Sequence, residues 1–195
     1  MEELYKKTLD RLKAELKKQL PEIEANGDWL WHHPEAGFKE TETQKYCLEV
    51  LKNHGFEACT WPDVTGFTCT YDTGRPGPCV MIMGEMDSLI CYSHPDCNPE
   101  TGAAHACGHS IQVATAMGAF ITLTESGVLE NFGGKVMLAG VPAEECLEIE
   151  WRTREIQKGR LHYLCGKAEL LYRGAFDGVD IVISMHAGLG NDGTL

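Results

Sequence analysis

The chain has 195 residues, of which 43% are hydrophobic, and this is enough to bury one substantial core. Twenty-nine acidic residues against 17 basic ones give a formal net charge of -12, which disfavours nucleic acid and anionic membrane surfaces as partners. No apolar run approaches the roughly 20 residues of a membrane span, and no secretory signal is recognisable, so a cytoplasmic location is expected. The nine cysteines are scattered without a Cys-x-x-Cys pair, which indicates reduced side chains rather than a disulfide framework.

Helices are predicted first along the chain. Residues 2–19 combine mixed charges with apolar residues three or four positions apart, a pattern typical of an amphipathic helix. Pro21 is expected to interrupt this helix, with a second helical stretch over residues 22–31. A third helix is predicted over residues 41–53 and is expected to stop near Gly55.

Strands and helices then alternate. Apolar or strand-forming runs lie at residues 67–71, 79–83, 135–139 and 179–184, and helical stretches at about residues 112–124 and 167–173. Buried strands alternating with helices predict an α/β domain with a mixed, largely parallel sheet flanked by helices. No repeat, linker or change of composition marks a boundary, so residues 1–195 are predicted to form a single domain.

Residues of the types that can act as metal ligands follow three of the predicted strands. Asp87 comes after the second strand, Glu144 and Glu145 follow the third, and His186 follows the fourth. Because binding sites in α/β sheets gather at the carboxyl ends of the strands, we expect these side chains at one edge of the sheet. The segment His105-Ala106-Cys107-Gly108-His109 lies just before a predicted helix and can join them.

Cys107 and His109 offer a thiolate and an imidazole, which suit zinc and related divalent ions. Two residues that are two positions apart do not share a helix face, but Gly108 can loosen the junction so that both point at one site. On spacing alone, a buried cysteine and ordinary histidines in a turn are an equal alternative.

Glu144 and Glu145 are adjacent, so their side chains diverge. One carboxylate can bind a metal while the other serves as general base toward a metal-held water and then as acid toward a leaving amine. The alternative is a solvated surface pair. For His186 the alternative is a core or capping histidine, and for Asp87 it is a loop residue rather than a carboxylate that orients a ligand.

The sequence motifs of this chain occur in a recognisable order. They are His33-Pro34-Glu35-Ala36-Gly37-Phe38 with Glu40 and Thr43, then Gly84-Glu85-Met86-Asp87-Ser88-Leu89, then residues 102–109, then residues 142–145. From about residue 22 onward the chain resembles the M20 metallopeptidase family, in particular its aminoacylase, hippurate hydrolase and auxin-conjugate hydrolase branch.

The resemblance implies a zinc-exopeptidase-like catalytic domain with two divalent metal ions, zinc or manganese. It implies that Cys107 bridges the metals, and that His109, Glu145 and His186 are further ligands. Glu144 would be the general base, and Asp87 would support the metal centre from beside it. The implied reaction is hydrolysis of an amide bond in an N-acyl amino acid or a small peptide-like substrate.

Three features depart from the family pattern. Ser110 stands where an aspartate is usual, and Gln112 stands where a histidine is usual. Residues 146–166, which include Trp151 and Tyr163, form an insertion directly after the glutamate pair. The sequence also stops at Leu195, whereas family members continue through a lid or dimerisation domain and a last catalytic segment with one more metal-binding histidine.

The chain is therefore expected to be the N-terminal portion of an M20-type catalytic domain, completed by a complementing subunit or by a homo-oligomer. Two alternatives stay open. One is a noncatalytic metal-binding or regulatory subunit derived from this fold. The other is a truncated product without a stable metal centre, because an incomplete sheet leaves an unpaired edge and exposed core.

Overall fold

A computed structural model describes residues 2–188. The elements in chain order are α1 (Glu2–His32), α2 (Thr41–Asn53), β1 (Ala58–Thr60), β2 (Phe67–Asp72), β3 (Cys79–Glu85), β4 (Leu89–Ile90), β5 (Ala103–Ala104), α3 (His109–Glu125), a short 3-10 helix (Val128–Asn131), β6 (Lys135–Val141), α4 (Ile149–Gln157), α5 (Gly166–Tyr172) and β7 (Ile181–Ser184). Within this part of the chain no helix has the length and apolarity that crossing a bilayer requires.

Five strands form the main sheet, in the order β1-β2-β6-β3-β7. Strand β3 is parallel to both β6 and β7, whereas β2 pairs with β6, and β1 with β2, in the antiparallel sense. The predicted mixed sheet flanked by helices is thus confirmed. Because β3, β6 and β7 are parallel, their carboxyl ends meet at one edge of the sheet.

Helices cover both faces of the sheet. On one face, α1, α2 and α3 pack over an apolar cluster that includes Leu30, Leu51, Phe67 and Phe120. On the other face, Leu170 of α5 packs with residues of β3 and β6. The alternation of side chains along β3 explains this arrangement, because successive residues of a strand point to opposite faces.

The prediction that Pro21 interrupts the first helix is wrong, because α1 runs without a break from Glu2 to His32. Proline removes one backbone hydrogen bond from the helix, but packing against α3 compensates for this loss. The close approach is visible at Gly118 of α3, where an added Cβ would lie 2.4 Å from Ile23 of α1. Tertiary contact therefore overrides the local preference to break.

Near the candidate metal-binding motifs, the observed helices differ from the predicted ones in two further respects. The helix predicted from about residue 112 already begins at His109, so this histidine lies in the first turn of α3 rather than before it. The insertion at residues 146–166 contains α4, which the sequence patterns did not predict.

Candidate metal centre

The structure brings the predicted site residues together at the carboxyl ends of β3, β6 and β7. Asp87 follows β3, the glutamate pair follows β6, and His186 follows β7, while His109 arrives from the first turn of α3. The ligand atoms of Cys107, His109 and His186 all lie within 4.8 Å of one another. The placement of these side chains follows from parallel strands that end at the same edge.

His109 is almost completely buried, with 1% of its surface exposed. Its Nδ1 atom lies 2.9 Å from the backbone carbonyl oxygen of Asp87, to which it can donate a hydrogen bond. Its Nε2 atom lies 3.2 Å from Oε2 of Glu85 but makes no hydrogen bond of acceptable geometry. In a typical metal-binding histidine, one ring nitrogen donates to a carbonyl and the other is left for the metal. The two nitrogens of His109 follow this arrangement.

The charge of His109 is set by competing effects. Burial on its own lowers the pKa of the imidazole, but the contacts to Asp87 and Glu85 outweigh burial and raise that pKa to about 10. Without metal, the ring is therefore protonated at neutral pH. Binding of a metal ion at Nε2 releases this proton, so metal binding and proton release are coupled.

Cys107 lies beside His186, with Sγ 3.6 Å from Nε2 of the histidine. Burial and the neighbouring carboxylate of Glu145 raise the pKa of the thiol to about 11. A thiolate at this position therefore needs a cation beside it. The donor set of one thiol and two imidazoles suits zinc, and together with the orphaned nitrogen of His109 it fits a bound divalent ion.

A glycine allows Cys107 and His186 to approach each other. Gly108 has φ of 95°, in the left-handed region that glycine tolerates best. A Cβ added at this position would lie 2.9 Å from Cβ of Ala187, the neighbour of His186. The junction before α3 and the segment after β7 thus pack closely because residue 108 has no side chain.

The backbone before the glutamate pair has an unusual conformation. Ala143 is fully buried and has φ of 49°, an uncommon value for a residue other than glycine. Its N–H donates to Oε1 of Glu40 at 2.8 Å, and its carbonyl accepts from the N–H of Gly166 at 3.0 Å. These bonds hold the turn from which Glu144 and Glu145 diverge.

Glu144 and Glu145 lie toward different neighbours. Glu145 approaches Cys107, and its N–H donates to Oδ2 of Asp87 at 2.9 Å. Glu144 instead forms a second possible ligand group with Glu85 and His109, again with all ligand atoms within 4.8 Å. Asp87 thus contacts two of the candidate ligands, His109 and Glu145, and orients both.

The sequence patterns missed three residues of this region: Glu85, Lys167 and Glu40. Glu85 is the last residue of β3, so the same rule that identified Asp87 applied to it. Burial on its own raises the pKa of Glu85, but His109 and Lys167 outweigh burial and hold that pKa at about 2. Glu40 is fully buried, and burial raises its pKa to about 7.

The two residues that depart from the family pattern are both buried. Gln112 accepts a hydrogen bond from the N–H of Glu85 at 3.0 Å and donates to Oγ of Ser184 at 3.0 Å, so it links the ends of β3 and β7. Oγ of Ser110 has no hydrogen-bond partner among the described residues. Gln112 therefore has a clear structural role, whereas Ser110 leaves an unsatisfied polar atom.

The remaining histidines lie apart from the candidate ligand groups. His32 and His33 bond to backbone carbonyls one helical turn before them, and His33 also stacks on Trp29. His94 belongs to neither ligand group found among residues 2–188. His105 is buried, and neither of its ring nitrogens makes a hydrogen bond within the described part of the chain. Burial lowers its pKa to about 4, so its ring is neutral.

Fold and ligand geometry together define this chain as an α/β domain with a candidate centre for divalent metal ions at the carboxyl edge of its sheet. No protein-family profile matches the chain. An N-acyl-L-amino acid amidohydrolase of Geobacillus stearothermophilus is 26% identical over 183 residues, a match that covers 89% of this chain and 44% of the relative. An N-acetyl-L-cysteine deacetylase of Bacillus subtilis is 27% identical, with 88% of this chain and 36% of the relative covered.

The fold has a matching solved structure. A protein of Bacillus subtilis described as a dinuclear metal-binding peptidase of the M20 family superposes with a TM-score of 0.68 at 24% identity, covering 90% of this chain and 44% of that chain. The resemblance to M20 amidohydrolases that the motifs predicted is thus confirmed for the N-terminal part of these proteins. The chain spans between 36% and 44% of the length of these three proteins.

Proposed function

We propose that this chain supplies the metal centre of an amidohydrolase that cleaves the amide bond of N-acyl amino acids or small peptide-like substrates. The observation that carries the proposal is the convergence of Cys107, His109 and His186, where the buried Nε2 of His109 lies 3.2 Å from Oε2 of Glu85 but makes no hydrogen bond to any described residue. The names of the relatives, which are amidohydrolases and deacetylases, support the same chemistry.

Each residue has a proposed role in a centre of two divalent ions, zinc or manganese. Cys107 would be the ligand shared by both ions, and His109, Glu145 and His186 would complete the ligands that this chain offers. Asp87 orients His109 through its carbonyl group and Glu145 through its carboxylate. When bound, the metal ions polarise the scissile carbonyl group and lower the pKa of a bound water.

Glu144 is the proposed general base. Its side chain is 37% exposed, so water can reach the carboxylate. Its carboxylate accepts a proton from the attacking water and later passes that proton to the nitrogen of the leaving amine. The net result is addition of water across the amide bond, which releases a carboxylate and an amine.

We further propose that residues 1–195 form one domain, the N-terminal portion of an M20-type catalytic domain, located in the cytoplasm. A complementing subunit or a homo-oligomer would complete it. Strand β7 supports this proposal, because among the described strands it pairs with β3 alone and exposes Ile181, Val182 and Ile183 to about half of their full extent. A continuous apolar strand is typical of the interior of a parallel sheet.

A noncatalytic metal-binding or regulatory subunit is the second candidate function. Ser110 favours it, because a buried hydroxyl without a partner replaces a residue that the family uses beside the metals. Such a protein would bind metal without hydrolysing an amide.

Replacement of Glu144 by Gln tests the catalytic role. The protein is purified with any chain that accompanies it, loaded with zinc or manganese, and assayed against a panel of N-acyl amino acids. We expect E144Q to lose hydrolysis but keep its metal content, whereas E145Q loses metal, because only Glu145 is a proposed ligand. Hydrolysis retained by E144Q would refute the role of Glu144. A metal-loaded wild-type protein that cleaves none of the substrates would favour the noncatalytic subunit.

A further inference from the structure

Glu40 stands directly before α2, but its side chain does not cap that helix. The carboxylate of Glu35 instead accepts from two backbone N–H groups in the first turn of α2, at 3.2 and 2.8 Å. The fully buried side chain of Glu40 accepts from the N–H of Ala143 at 2.8 Å and from Oγ of Thr65 at 2.5 Å. An acidic residue at a helix start normally stabilises that helix, so Glu40 serves a different part of the molecule.

The backbone of Ala143 shows what the bond from Glu40 does. A φ of 49° is unfavourable for alanine, because its Cβ then crowds the neighbouring backbone. Such a conformation persists only where the surrounding groups hold it in place. At Ala143 the N–H donates to Glu40, the carbonyl accepts from Gly166, and Cα packs against Gly37, where an added Cβ would lie 2.7 Å away.

Unfavourable backbone conformations are concentrated in this part of the chain. Within residues 2–188, positive φ occurs at three residues other than glycine, namely Phe38, Ala143 and Glu148. Phe38 belongs to the same apolar cluster as Ala143, and Glu148 accepts from Nζ of Lys39 at 2.6 Å. All three therefore lie where the segment before α2 meets the segment after β6. Strained residues cluster at functional sites, so this junction is a candidate for a role in function.

The conformation of Ala143 decides where the next two side chains lie. The proposed general base Glu144 and the proposed ligand Glu145 follow it directly, so a return of Ala143 to negative φ would redirect both. We propose that Glu40 is a positioning residue, whose buried carboxyl group holds Ala143 at positive φ and so keeps Glu145 in place to bind metal. This inference rests on the proposed metal centre, and it makes zinc affinity depend on a residue that is not itself a ligand.

Zinc affinity of the purified full chain, with any chain that accompanies it, tests this inference. It is measured by competition with a coloured chelator, at a temperature where every variant is folded. Glu40→Leu removes both acceptor oxygens and should weaken zinc binding by about tenfold or more, as is typical when a group that orients a metal ligand is lost. Glu40→Gln keeps an oxygen that can accept from Ala143 and should restore most of the affinity. If Glu40→Leu does not fold, Glu40→Asp replaces it, because the shorter carboxylate cannot reach Ala143 in the same way.

A second substitution distinguishes positioning from general stability. Glycine adopts positive φ without the penalty that alanine has, so Ala143→Gly makes the turn less dependent on Glu40. The loss of zinc affinity caused by Glu40→Leu should therefore be smaller in the Ala143→Gly background than in the wild-type background.

Glu35→Leu is the matched control. It removes a carboxylate near the same helix start, but one whose hydrogen bonds go to the first turn of α2 and not to Ala143. This variant should have a lower Tm, because α2 loses its cap, and an unchanged zinc affinity.

The outcomes separate this inference from the proposed function. Equal zinc affinities of the wild type and Glu40→Leu would overturn the role of Glu40 and leave the metal centre standing. So would a Glu40→Gln variant as weak as Glu40→Leu, equal losses in the two backgrounds, or a comparable loss in Glu35→Leu. A wild-type protein that binds no zinc would overturn the proposed metal centre and, with it, this inference.

Discussion

Two histidines lie near opposite ends of α3, and each is close to two acidic residues. They differ in the hydrogen bonds that their ring nitrogens make. At the C-terminal end, His54 has Nδ1 2.6 Å from Oε1 of Glu125 and Nε2 3.0 Å from Oε2 of Glu22. At the N-terminal end, His109 has Nδ1 2.9 Å from the carbonyl oxygen of Asp87, while its buried Nε2 lies 3.2 Å from Oε2 of Glu85 without a hydrogen bond to any residue in 2–188.

This difference indicates that His54 has a structural role and that His109 can bind a ligand. Both nitrogens of His54 are satisfied by protein, so that residue links α2 to α1 and α3. A buried nitrogen without a partner costs free energy unless a ligand takes it up. Other unsatisfied buried atoms lie at the same end of α3, in His105, Ser110 and Asp87. The N-terminal end of α3 is therefore the end that we propose binds metal, and we expect the rest of the helix to contribute mainly to stability.

The substitution with the largest expected effect is at Phe120, which lies in α3 between these two ends. This residue is fully buried and packs edge-on against Phe56, with ring centroids 5.0 Å apart. Phe120→Ala should lower the free energy of unfolding, measured with urea, by about 3–5 kcal/mol, because it leaves a cavity in the apolar core. Zinc affinity at a temperature where the variant is folded should be unchanged.

Ile111→Ala is the matched control for Phe120→Ala, because Ile111 lies on the same helix but is 57% exposed. It should change the free energy of unfolding only slightly. A fall in zinc affinity that paralleled the loss of stability in Phe120→Ala would show that the core and the metal end are not independent.

The next effect concerns the histidines themselves. His109→Ala removes a proposed metal ligand and should weaken zinc binding by about 100-fold or more, beyond the loss typical of residues that only orient ligands. His54→Ala should leave zinc affinity unchanged, because neither of its ring nitrogens is free. Competition with a coloured chelator measures both affinities. Equal losses in the two variants would remove the distinction between the two ends of α3.

Much of this arrangement follows from sequence patterns. Helix α2 begins and ends at the predicted residues, because apolar positions recur with helical spacing and Gly55 follows its end. The rule that parallel strands present ligands at their carboxyl ends predicted that Asp87, Glu145 and His186 would meet. These are local signals or consequences of topology, and both can be read from the order of residues.

The features that sequence patterns missed depend on contacts between distant segments. Helix α1 continues through Pro21 because α3 packs against it, and no local pattern contains that contact. Lys167 reaches Glu85 only because the turn at Ala143 places the start of α5 beside the metal centre. The ion pair joins residues far apart along the chain, and lysine occurs too often on protein surfaces for its type alone to indicate such a role.

The smallest expected effect is the pH dependence contributed by His54. Burial alone lowers the pKa of His54, but Glu125 and Glu22 outweigh burial and raise that pKa above its usual value. The folded state therefore holds this proton more tightly than the unfolded chain does. The resulting stability is fully present below about pH 6.5, while the glutamates stay ionised, and is lost as pH rises through the folded pKa.

His54→Gln should remove this contribution, because glutamine cannot carry the charge. The free energy of unfolding of the wild type should exceed that of the variant by about 1 kcal/mol or less near pH 6, since the glutamates are partly exposed. The difference should shrink as pH rises through the folded pKa of His54, where the ring loses its proton. Urea unfolding at several pH values measures it. A difference that stayed constant with pH would mean that His54 links the helices as a neutral hydrogen-bonding ring. His54 and His109 would then differ only in that Nε2 of His109 makes no hydrogen bond to the described residues.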